Sequence, residues 1–67
     1  MKLGTAVWFN SGAGDQLALV VADNGGENLN LVAVDGNGAW QHHASVARRD
    51  PADYGPEGGG DTWHPAA

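Results

Sequence analysis

Gly58-Gly59-Gly60-Asp61-Thr62-Trp63-His64-Pro65-Ala66-Ala67, the last ten residues of the chain, is the stretch on which the fold turns. Three glycines free the backbone, and a Trp-His pair follows almost at the end. A tail ordinarily frays, and a tryptophan left in water is wasted apolar surface. Thr62-Trp63-His64 is therefore predicted to be a docked final strand that Pro65 stops. Side chains alternate along a strand, so Trp63 is expected to fill the core and His64 to face outward toward a partner.

A docked last strand needs a sheet to join, and the preceding residues supply one. Glycine recurs too often for a long helix, and no window carries apolar residues at helical spacing. Thr5 to Phe9 reads as a first strand, with Thr5, Val7 and Phe9 on one face and Ala6 and Trp8 on the other. Asn10 to Asp15 is a loop of turn-forming residues. Gln16 to Ala22 is a second strand, apolar on both faces as a central strand would be. Asp23 to Asn28 and Asp35 to Gly38 read as hairpin turns, because Asn-Gly supplies the positive φ of primed turns. Between them lies a third strand, Leu29 to Val34.

Ala39 to Val46 is a fourth strand, with Trp40, His42, Ala44 and Val46 on one face. A 14-residue connector, Ala47 to Gly60, then leads to the tail, with a short 3₁₀ turn expected near Pro51 to Tyr54. The fold predicted is all-β: a small five-stranded antiparallel SH3-like barrel, with an OB-like barrel as the alternative. The terminal strand would pair beside the first, bringing Trp63 near Trp8 or Phe9.

The chain of 67 residues forms one domain near the lower size limit for independent folding. Of its 28 apolar residues 11 are alanine, so the large apolar set numbers 17. Such a core yields only ~3–5 kcal/mol without staples. The chain has no cysteine to form them, so a homo-oligomer is expected.

Net charge is −5, with only Lys2, Arg48 and Arg49 basic. Too few cations are present for general nucleic-acid binding or for an anionic membrane surface. The opening Met1-Lys2-Leu3-Gly4 lacks the apolar segment of a signal peptide, and the expected location is cytoplasmic.

No catalytic constellation emerges. Ser45 lies two positions from His43 and is expected on the same face, but no third group or oxyanion donor accompanies them. His42 and His43 point oppositely; a His42 and His64 pair with a carboxylate is geometrically possible, but a ring covering Trp40 is the simpler reading, so no metal or cofactor is expected. Asp50, Asp53 and Glu57 read as turn and solubility residues. Arg48 and Arg49 either pair with Asp50 and Asp53 or form a contact for an anion or a partner protein. Trp8, Trp40, His42, Arg48, Arg49, Tyr54 and His64 are the candidate binding residues, because not every Trp can be interior.

The tail Gly60-Asp61-Thr62-Trp63-His64-Pro65, with the opening strand Gly4 to Phe9 and the Val-rich Leu17 to Ala22, resembles a group of small proteins encoded by bacteriophages of actinobacteria. Their tail runs close to Gly-Thr-Trp-His-Trp-Pro. Here Asp61 intervenes, Pro65 replaces the second Trp, and the second strand lacks the cysteine of that group. The resemblance implies a phage origin and an SH3-like barrel, and supplies no catalytic residue. The function expected is that of a non-catalytic phage accessory protein in the host cytoplasm. It would act by binding a host protein, a defence component or a small anionic ligand. The alternative is a virion component, such as a decoration protein on the phage capsid protein.

Overall fold

The structure is a computed structural model that describes residues 1–12, 14–56 and 58–66; Glu57 lies outside them. Five strands form: β1 (Ala6–Asn10), β2 (Asp15–Asp23), β3 (Leu29–Val34), β4 (Trp40–Val46) and β5 (Thr62–Pro65), with a 3₁₀ turn at Pro51–Asp53. They make one antiparallel sheet in the order β4-β3-β2-β1-β5. The sheet curls and closes through β5. Trp63 N–H donates to the Ala47 carbonyl at 3.0 Å and Arg49 N–H donates to the Trp63 carbonyl at 2.9 Å. The chain after β4 thus runs parallel to β5, at the Arg48–Trp63 bridge. This is the all-β, five-stranded SH3-like barrel predicted. Strands β1 to β4 are consecutive hairpins with no Greek-key exchange, which sets aside the OB-like alternative.

The tail docks as expected. Phe9 pairs with Trp63, and the Trp63 ring is 2% exposed among Val7, Phe9, Ala18, Val20, Leu29 and Leu31. Its indole Nε1–H donates to the Glu27 carbonyl at 2.9 Å, which meets the one polar need of a buried Trp. Pro65 closes β5 from within, opposite Val7, where the strand ends and an absent N–H costs least.

Three local expectations are corrected. Burial on β2 alternates, so its second face is outward and Leu17 is 46% exposed. On β4 a bulge intervenes, since Leu31 faces His43 while Leu29 faces Val46. Ser45 takes a φ of 54° there, and its N–H donates to Asn30 Oδ1 at 2.9 Å. The extra residue reverses the alternation. Val46 therefore points inward, Trp40 and His42 point outward, and His43 stacks on Phe9 at 4.2 Å. In the Asp35–Gly38 turn the positive φ falls on Gly38 (82°), not on Asn37. Asp35 Oδ1 accepts the N–H groups of Asn37 and Ala39 (2.8 and 3.0 Å), so the loop is a capped turn followed by a glycine bulge.

Candidate functional site

The outward side of β2, β3 and β4 carries apolar residues where a monomer ordinarily places charge. Directly paired residues share a face, so Leu19, Val32 and His42 form one row across the three strands. Val34 and Trp40 form the next, and continuing the Ala18–Ala33 ladder sets Leu17 beside Val34. Trp40 is 55% exposed at one side of this row and Leu17 is half exposed at the other. No Asp, Glu, Lys or Arg stands in either row, although the chain carries a net charge of −5. Apolar side chains that adjoin in this way mark a contact face more often than scattered exposed residues do.

A second group sits where β1, β5 and the connector meet. His64 is 7% exposed, which corrects the expectation that it faces outward to a partner. Alternation does turn it away from Trp63, beside Trp8, but Tyr54 from the connector covers it. The Tyr54 hydroxyl and His64 Nδ1 share a hydrogen bond of 3.0 Å, and His64 Nε2 lies 3.6 Å from Asp15 Oδ2. Asp15 in turn accepts from Asn10 Nδ2 at 3.0 Å. The chain of groups ties the first loop, the connector and β5 together.

Burial, and after it the Asp15 carboxylate, pushes the Tyr54 hydroxyl above its ordinary value of 10.0. A raised folded-state value means this contribution to stability is whole below the unfolded value and fades as pH climbs through the folded one. The melting temperature should therefore fall in alkali above about pH 10, and Tyr54→Phe should flatten that fall. Tyr54 is the chain's single tyrosine, so phenolate absorbance follows it alone. A phenolate that titrates identically in folded and unfolded protein would contradict this.

The arginines separate. Arg48 Nε and Nη2 reach Asp50 (3.1 and 3.4 Å), Nη1 reaches Glu27 (3.4 Å), and the guanidinium lies 5.7 Å from the Trp63 ring centre. Asp50 first, then Glu27, holds its pKa above the ordinary value. Arg49 Nε donates to the Asp53 carbonyl oxygen at 3.0 Å, so its bond to Asp53 is to backbone and not the carboxylate contact expected. Beside Arg48 opens a groove of about 450 Å³ lined by Met1, Asp23, Gly25, Glu27, Leu29 and Trp63, among others. Its cations are matched: Asp23 accepts from the Met1 amino group, which with the Gly25 N–H holds the Asp23 carboxyl below its usual range.

The candidate residues thus fall into three places. Trp40 and His42 share the outer face, Arg48 borders the groove, and Trp8, Tyr54 and His64 gather about β1 and β5, with Arg49 tied to the chain at Asp53. Leu17, Leu19, Val32 and Val34 were missed as contact residues, because an apolar run reads as core until the barrel's inside is known. Ser45 is parted from His43 by the bulge. Among the described residues no three His, Cys, Asp or Glu side chains converge as a metal site, and no helix is long and apolar enough to cross a membrane. No protein family, curated protein or solved structure matches the chain.

Proposed function

We propose that this chain is a non-catalytic bacteriophage accessory protein that works by binding. Its target is a host protein or defence component in the host cytoplasm, engaged through the outer face of β2, β3 and β4. The observation that carries the reading is the absence of charge from two adjoining rows of that face, Leu19, Val32 and His42 with Leu17, Val34 and Trp40, in so acidic a chain. A protein that binds through Trp40 and its aliphatic neighbours needs no reaction centre, since desolvating aromatic anchors is what gives contact surfaces most of their affinity. Capture of a small anion by Arg48 and Arg49 is the weaker form of the idea, because Asp50 and Glu27 already engage Arg48.

Two measurements test the proposal together. Mass spectrometry of purified virions should find the chain absent, whereas stoichiometric recovery would establish the rival role as a capsid decoration protein. Capture from infected lysate should retain one host protein in stoichiometric amount. Trp40→Asp should lose it at least tenfold while still melting cooperatively, because an outward side chain is no part of the barrel's buried packing. Undiminished retention by Trp40→Asp would overturn the assignment of the face.

A further inference from the structure

We propose that in the free protein the outer face of β2, β3 and β4 is covered by a second copy of the same chain, in a two-fold symmetric sandwich. The inference rests on the reading of that face as the contact surface, and it names the occupant.

Four observations select a second copy. First, the deficit is permanent: nine buried apolar residues among those described, and no cysteine in the chain, leave the monomer short of stabilisation wherever it folds. The only partner present at every folding event is the chain itself. Second, the face complements itself. With a two-fold axis midway between the two sheets and parallel to β3, Val32 and Val34 meet their own copies at the centre. Trp40 on β4 then lies over Leu17 on β2 of the second copy, and the reverse, a large side chain against a smaller one on both sides. Side chains of two such faces interdigitate at the usual sheet spacing of ~10 Å.

Third, the charge is arranged for it. Two chains of net charge −5 repel, yet the acids lie off the two rows that would touch. Fourth, the area needed is modest: a stable dimer covers ~800 Å² per partner, about a fifth of the 3860 Å² this chain exposes.

Sedimentation velocity from micromolar to sub-millimolar concentration should give twice the 6.9 kDa chain mass. Added salt should tighten the association by screening the repulsion between copies. Leu17→Lys and Trp40→Asp should each return the protein to a monomer that melts cooperatively at a lower temperature than the dimer. In a chain without native cysteine, Val34→Cys should cross-link to itself through a bis-maleimide long enough to span the ~10 Å between sheets, while Ser11→Cys, off the face, should not.

A wild type that stays monomeric across the range overturns the proposal. So does a dimer that both substitutions leave intact. If the wild type is monomeric while Trp40→Asp still loses the host protein, the second copy is refuted and the contact face stands. If the dimer forms and host capture ignores Trp40→Asp, the dimer stands and the host contact lies elsewhere.

Discussion

Trp63→Ala is expected to leave the chain unfolded at room temperature. A buried Trp cut to alanine costs ~3–5 kcal/mol, as much as the ~3–5 kcal/mol that a core of this size supplies. Trp63 joins more of the molecule than its area suggests. Its ring fills the barrel beside Phe9, its Nε1–H holds the Glu27 carbonyl, and Arg48 lies over its face. Its backbone pairs with β1 on one side and with Ala47 and Arg49 on the other, so it is the residue at which the sheet closes.

Loss of near-ultraviolet circular dichroism and of a cooperative melt would report the unfolding. Deleting Thr62 to Ala67 should do the same. Trp63→Phe, which keeps most of the volume and leaves the Glu27 carbonyl without its donor, should fold with a lowered Tm. A truncated chain that remains soluble and melts cooperatively would show that β5 is an appendage.

Asn10→Ala should be the most damaging substitution of a polar residue. Asn10 is 6% exposed at the end of β1, and both ends of its side-chain amide are engaged. Oδ1 accepts the N–H groups of Gly12 (2.8 Å) and Gly59 (2.9 Å), while Nδ2 donates to Asp15. Alanine would strand the buried Gly59 N–H and release Asp15 from its place beside His64. An unsatisfied buried donor costs ~1–3 kcal/mol, or a Tm about 5–20 °C lower in a domain this small.

Gly59→Ala approaches the same junction sterically. A Cβ there would stand 2.8 Å from Thr62 Oγ1 and 2.9 Å from both Asn10 Cβ and Tyr54 Cε1, so all three would have to move. Calorimetry on the two variants decides the matter. A Tm within about 2 °C of the wild type for Asn10→Ala would mean that water replaces the amide, and that the junction is not a structural tie.

Strand positions, turn positions and closure by the tail were legible in the residues because their causes are local. Glycine and asparagine mark turns through backbone sterics, β-branched and aromatic runs mark strands, and a Trp is seldom left in a free tail. Leu29 to Val34 was recovered to the residue, and Trp63 was recognised as core.

Facing was less legible. The bulge at Ser45 depends on Asn30, fifteen residues away, presenting Oδ1 to a strained N–H, and nothing near Ser45 announces it. That single insertion exchanges which histidine lies over Phe9 and which stands on the outer face. The burial of His64 likewise follows from Tyr54, which the connector delivers from ten residues upstream.

Thr62-Trp63-His64 contained enough in its own residue types to require a docked strand, because the cost of a wet indole is a property of the side chain. Whether His64 met solvent, and whether Leu17, Val34 and Trp40 faced in or out, depended on bulge positions and on which segments crossed above them. Those are outcomes of pairing between residues distant in the chain, and alternation counted along one strand carries no record of them.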